Sequence, residues 1–383
     1  MDLIPLLELM RDQKASDLFI TVGLPPAIKV DGRIKPVSNE VIEAEAAMEV
    51  VTGMMSPAQR EEFEATHECN FAIGEKDVGR FRASAFIQRG KAGVVLRRIE
   101  TYIPSIEELK LPPILKNLAM TKRGLIVFIG ATGTGKSTSL ASMIGYRNNH
   151  GSGHIITIED PIEFVHPHDQ CIITQREVGI DTESYETALK NTLRQAPDVI
   201  LIGEIRDREA MDHAIAFAET GHLCLSTLHA NSTNQALDRI INFFPDERRM
   251  QLLMDLSLNL KGMISQRLIP KIDGAGRMPA IEVMLNTPLM ADMIFKGEVH
   301  EMKSLIAKSN EAGMQTFDQA LFDLYETEQI TFEDALRNAD SVNDIRLRIK
   351  LESDTARKTG VVEDHREFEL EEANDDEQAG GMI

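Results

Sequence analysis

The chain contains no tryptophan, few aromatic residues (5%) and only three cysteines, and it is short of positive charge. Each shortage excludes something. Cys69, Cys171 and Cys224 stand far apart and form no C-x-x-C pair, so neither a zinc site nor a disulfide framework is expected, and reduced thiols are the reading left. Lys and Arg number 41 against 61 Asp and Glu, a formal net charge of −20, which lacks the electrostatic footprint of a nonspecific nucleic-acid binder. Nucleic acid is therefore not expected as a partner. No apolar run approaches the roughly 18–20 residues that span a bilayer. The N-terminus "MDLIPLLELMRDQKASD" has acidic residues at positions 2 and 8 and no basic n-region, so it does not read as a signal peptide. A cytoplasmic protein with no direct membrane insertion is expected.

What is present divides into regions. Residues 1–100 open with an amphipathic helix (Leu3, Leu6, Leu7, Met10) and continue in short alternating stretches, "DLFITVG", "PAIKVDGRIKPV", "GRFRASAFIQRG" and "AGVVLRRI". Gly and Pro punctuate them as hairpins, which predicts a small α+β domain. "ETYIPSIEELKLPPIL" (100–115) holds three prolines and reads as a linker over 101–115. From 116 to 350 apolar strands alternate with helices, the signature of a parallel α/β sheet, and after about residue 245 the chain reads as largely helical. Residues 351–383 carry eleven acidic and three basic side chains and read as a disordered acidic tail.

The strongest chemical signal is "GLIVFIGATGTGKSTSL" (124–140). An apolar strand, Leu125–Ile129, runs into Gly130, Ala131, Thr132, Gly133, Thr134, Gly135, Lys136, Ser137 and Thr138, and then a helix. Small residues let the backbone N–H groups of such a loop point inward and cradle phosphate oxygens. Lys136 puts a cation at the β- and γ-phosphates, and the Ser137 hydroxyl is a ligand for Mg²⁺. The chain is expected to bind ATP with Mg²⁺.

"DVILIGEIRD" (198–207) is a second buried strand ending in a carboxylate, Glu204. The carboxyl ends of such strands face the ligand crevice. Many P-loop enzymes carry Asp just before this Glu; here Gly203 stands there, so Glu204 is expected to orient the attacking water or the metal's water shell alone. "HIITIEDPIEF" (154–164) brings Glu159, Asp160 and Glu163 to a third strand end, with Glu163 the candidate general base. In "TGHLCLSTLHANS" (220–232), His222 and His229 bracket a fourth strand.

Together, "GATGTGKST", "TIEDPIEF", "ILIGEIRD" and "TGHLCLSTLHANS" resemble the Walker A motif, Asp box, atypical Walker B motif and His box of the secretion ATPases. "ASDLFITVGLPPAIKVDG" resembles the type IV pilus retraction (twitching motility) branch, the PilT/PilU family. "LRQAPDVILIGE" and the long acidic C-terminus look most like its PilU side. The resemblance covers about residues 1–345. It implies an α/β protein with a RecA-like P-loop ATPase core, a smaller N-terminal PAS-like α+β domain and a disordered acidic C-terminal tail. It also implies a homohexamer at the pilus base, docked on an inner-membrane platform protein, with His229 joining Glu163 and Glu204 as catalytic residues. Arg82 and Arg97 would reach the triphosphate from the first domain. One departure concerns "LMADMIFKGEVHEMKSLIAK" (289–308), which lacks the "AIRNLIRE"-like helix of the retraction motors; another is Phe19, where that motor has His after "ASDL". These departures point to an auxiliary motor working with a PilT-type retraction ATPase. The alternative is an ATP-binding accessory subunit with little hydrolysis of its own.

Overall fold

The computed structural model describes residues 2–359, apart from Asp31 and Asp77. Two sheets organise it. The first is antiparallel throughout, in the order β3-β2-β1-β6-β5-β4. Its strands are β1 (Asp17–Thr21), β2 (Ala27–Val30), β3 (Arg33–Pro36), β4 (Glu68–Glu75), β5 (Gly79–Gln88) and β6 (Lys91–Arg98). Between β5 and β6, Arg89 (φ 52°) and Gly90 (φ 71°) both adopt the left-handed conformation that a tight two-residue hairpin turn requires. The helices Ala44–Gly53 and Pro57–Thr66 belong to the same unit, the second started by a capping box between Ser56 and Gln59. The opening helix, Ile4–Asp12, buries Leu7 and Met10 in the core that Phe63, Phe71 and Phe81 fill.

The second sheet has the order β13-β12-β7-β11-β10-β8-β9. Its members are β7 (Gly124–Ile129), β8 (Gly153–Glu159), β9 (Cys171–Glu177), β10 (Val199–Ile202), β11 (Leu223–Leu228), β12 (Leu260–Pro270) and β13 (Arg277–Leu285). Strands β7 to β12 run parallel to one another, and every residue of β7, β10 and β11 is buried. Continuous apolar strands of this kind need cover on both faces. Lys136–His150 supplies it on one side with Met143 and Ile144, Arg208–Glu219 on the other with Met211 and Phe217. The residues of 101–115 do not hang free: Ile106, Leu111 and Leu115 are buried against the sheet.

Two expectations are corrected. The chain after about 245 is not simply helical, because β12 and β13 form an antiparallel hairpin that extends the sheet beyond β7. Gly262 lets β12 lie close to its partner, since a Cβ there would stand 3.0 Å from the Met284 carbonyl oxygen. The tail does not begin at 351 either. Val342–Glu352 and Asp354–Thr359 are helical, Ser353 and Ala356 are fully buried, and the Ser353 hydroxyl donates to Glu326. The rest of the acidic tail, 360–383, lies outside the described residues. Among the described residues no helix is long and apolar enough to cross a membrane.

Candidate active site

The loop between β7 and the helix Lys136–His150 is shaped by three glycines with positive φ: Gly130 (155°), Gly133 (79°) and Gly135 (85°). Two of them are also hemmed in. A Cβ on Gly130 would lie 2.5 Å from Thr134 Oγ1, and one on Gly135 would lie 2.7 Å from Gln266 Nε2. Gln266, on β12, buttresses the loop by donating to the Thr134 carbonyl (2.8 Å) and accepting from Ser139 Oγ (2.8 Å). Lys136 is buried, and its Nζ donates to the carbonyl oxygens of Gly130 and Ala131, both at 2.8 Å. Burial holds its pKa below the usual lysine value, against the opposing pull of Glu204 and Glu163.

A cleft of about 390 Å³ opens over this loop. Its walls include Thr132, Gly133, Gly135, Lys136, Ser137 and Thr138 from the loop, and Glu159, Glu163, Gly203, Glu204 and His229 from the ends of neighbouring strands. Glu204 stands two residues beyond β10, with Arg206 Nε donating to its Oε2 (2.8 Å) and His229 Nε2 at 3.1 Å from its Oε1. His229 Nδ1 lies 3.2 Å from the Gly130 carbonyl oxygen, and the His229 carbonyl accepts from Arg239 (2.9 Å). The His229 imidazole thus stands between the end of β10 and the phosphate loop, with an acceptor oxygen facing each ring nitrogen.

The glycine before Glu204 now has a reason. A Cβ on Gly203 would stand 3.0 Å from the Tyr185 hydroxyl and 3.2 Å from both Glu159 Cα and the Ile158 carbonyl oxygen. The space that an Asp would fill in other P-loop enzymes is occupied by the backbone of β8. Glu159 itself accepts from Thr157 Oγ1 (2.6 Å) and Gln175 Nε2 (3.3 Å). Burial pushes its pKa up to about 7, and the nearby Glu163 adds to the rise. Glu163 is exposed to the cleft, on a loop that Gln175 and Glu177 of β9 hold through the backbone of Ile162, Phe164 and His166.

Arg82 and Arg97 are not on the cleft wall. They sit opposite each other on β5 and β6. Arg97 Nε binds Asp17 Oδ1 at 2.9 Å, and Arg82 Nε approaches Glu177 Oε1 at 3.9 Å. Conversely, Tyr185, Gln175, Gln266 and Arg277 shape or line the site without any motif in the sequence to announce them. For Mg²⁺ the donor set fits: the Ser137 hydroxyl and the carboxylates of Glu163 and Glu204 are hard oxygen donors around one cleft.

A glycine-cradled lysine with carboxylates at the carboxyl ends of parallel strands defines a P-loop ATPase. More particularly, the chain belongs to the family described as Type II/IV secretion system protein, whose model matches residues 8–361. It is 65% identical over 350 residues to the type IV pilus ATPase PilU of Pseudomonas aeruginosa, covering 91% of this chain and 92% of that one. To the type IV pilus retraction ATPase PilT of the same organism it is 41% identical over 339 residues, 88% of this chain and 98% of that one. Among solved structures, the pilus retraction motor PilT with bound ADP superposes with a TM-score of 0.83 at 40% identity, over 89% of this chain and 98% of that one. The α/β fold, the ATPase class and the kinship with pilus motors expected from the sequence stand together on these matches.

Proposed function

We propose that this chain hydrolyses ATP to drive or assist type IV pilus retraction, as a subunit of a cytoplasmic homohexamer at the inner-membrane platform protein. The observation that carries the reading is the meeting of Lys136, Glu163, Glu204 and His229 around one cleft, on a chain this similar to PilU. The residue roles follow from chemistry. Lys136 exchanges the carbonyls of Gly130 and Ala131 for the β- and γ-phosphates, while the loop N–H groups of 130–138 hold the remaining oxygens. Ser137 holds Mg²⁺, which when bound neutralises charge on the phosphates. Glu163 takes the proton of the attacking water. Glu204, fixed by His229 and Arg206, orients that water. Arg82 and Arg97 exchange Glu177 and Asp17 for the γ-phosphate when the N-terminal sheet closes over a nucleotide, the device by which hydrolysis becomes movement.

The motor is auxiliary, working on a PilT-type partner. Residues 289–308, which lack the "AIRNLIRE"-like sequence, form two short helices, Pro288–Lys296 and Met302–Lys308. Steady-state ATPase measurement on the purified chain, with and without a PilT-type hexamer, tests this together with retraction assays in cells lacking the partner. Turnover with partner-dependent retraction is expected. Retraction without any partner refutes the auxiliary role, and no turnover by the chain alone, with none beyond the partner's own in the mixture, leaves the accessory subunit as the reading.

A further inference from the structure

The loop that carries Glu163 is attached on two sides. On one side lies β9, where Gln175 accepts from His166 N (2.8 Å) and donates to the Phe164 carbonyl (2.9 Å), and Glu177 Oε2 accepts from Ile162 N (3.2 Å). On the other side runs the chain leaving the N-terminal sheet. Glu100 bridges Phe164 in parallel, and its carbonyl accepts from Val165 N (3.2 Å). Glu177 is only 1% exposed, yet its second oxygen, Oε1, has no hydrogen-bond partner. The cation facing that oxygen is Arg82, from β5 of the other sheet, with Nε at 3.9 Å. A buried carboxyl oxygen left short of a donor is unfavourable, so Glu177 must readjust whether Arg82 advances on it or leaves it for the γ-phosphate, and the Ile162 N–H that it holds readjusts with it.

We propose that Glu177 is a positioning residue through which the N-terminal sheet sets the place of Glu163. The link runs from Arg82 to Glu177, from Glu177 to the N–H of Ile162, and from Ile162 to its neighbour Glu163. The Glu100–Phe164 bridge is a second attachment of the same loop to the same sheet, made by backbone alone. Hydrolysis geometry therefore depends on the relation between the two sheets, even though no residue of the first sheet lines the cleft. The inference rests on Glu163 acting as the base.

The test compares Glu177→Gln, Glu177→Ala, Glu163→Gln and the Glu163→Gln/Glu177→Ala double variant in the full chain. The readouts are kcat and KM for ATP, with affinity for a fluorescent ATP analogue measured separately. Glu177→Gln keeps an acceptor for Ile162 but loses the charge that faces Arg82; it is expected to lower kcat about 5-fold, and Glu177→Ala about 10- to 100-fold. KM and analogue affinity should change less than about twofold in either. The double variant should be no slower than Glu163→Gln alone, the non-additivity of residues acting as a unit. If Glu163→Gln turns over normally, the base assignment fails and takes this inference with it. If Glu163→Gln is slow while Glu177→Gln and Glu177→Ala keep wild-type kcat, the base stands and the positioning role of Glu177 is refuted. Equal losses of affinity and turnover also refute it, because they mark Glu177 as support for the whole cleft. Should Glu177→Ala fail to fold, the nearly isosteric Glu177→Gln decides alone.

Discussion

Gly203 offers a quantitative test of the site's construction. A methyl group there would sit 3.0 Å from the Tyr185 hydroxyl and 3.2 Å from Glu159 Cα and the Ile158 carbonyl oxygen. Gly203 does not have the positive φ that would make any side chain strained, so the penalty of Gly203→Ala is one of space alone. Ile158 and Glu159 lie on β8, which is hydrogen-bonded to β10 on one side and β9 on the other and cannot retreat. Only the Tyr185 ring can give way. Overpacking of this kind costs about 1–3 kcal/mol. In a domain of the ATPase unit's size that is roughly 2–4 °C in Tm per kcal/mol, hence a drop of about 4–8 °C for 2 kcal/mol. Adding Tyr185→Phe removes the nearest atom but neither backbone contact, so it should restore less than half of the loss. Gly203→Asp adds a carboxylate beside Glu159, Asp160 and Glu204 and should be worse than Ala in both stability and turnover. Calorimetric melting and ATPase rates on the four proteins measure these effects. A Gly203→Ala protein that melts with the wild type and turns over normally would show that β8 yields, and the steric reason for the glycine would be wrong.

Three further outcomes are expected. Lys136→Ala should abolish nucleotide binding or hydrolysis, since it removes the cation of the phosphate loop; equilibrium binding of a fluorescent ATP analogue checks it, and wild-type turnover would refute the P-loop reading. Glu204→Ala should bind ATP nearly normally and hydrolyse it at least about 10²-fold more slowly, whereas joint loss of binding and turnover would make Glu204 a structural partner of Arg206. Glu159 retains its proton up to about pH 7 in the folded chain against about 4.5 when unperturbed, so the native state binds more protons than the unfolded state across that window. Stability should therefore fall as pH rises from about 4.5 to 7, by at most about 3 kcal/mol from this group. Urea titrations at several pH values should show the slope flattened in Glu159→Gln, and an unchanged slope would refute the assignment.

The phosphate loop, Glu204 and the Glu163 turn were legible because each is a local pattern, an apolar strand followed at once by small or charged residues. Gln266, Tyr185 and Gln175 were not, because they reach the site from other elements and only the sheet order brings them there. The hairpin of β12 and β13 was hidden for another reason. "LKGMISQRLIP" is buried on both faces over most of its length, so it shows none of the alternation that marks a half-exposed strand, and it follows a long helical stretch. The turn between these two strands does carry a sequence signal, "KIDGAGR" (271–277), whose glycines 274 and 276 both take positive φ. For Arg82 and Arg97 the family resemblance pointed to the triphosphate, but nothing in their sequence neighbourhood revealed Glu177 and Asp17 as the partners they hold in this structure. Their setting depends on which strands of two sheets come together, which no short motif encodes.

The Gln266 buttress has an entropic consequence. With the Thr134 carbonyl and Ser139 hydroxyl already bonded to one side chain of β12, the loop is in its glycine-dictated shape before any anion arrives. Little chain freedom is then lost on association, and little is regained on release. Exchange of spent nucleotide need not wait for the loop to melt and re-form, so the slow step of a cycle is free to lie in the movement of the sheets themselves.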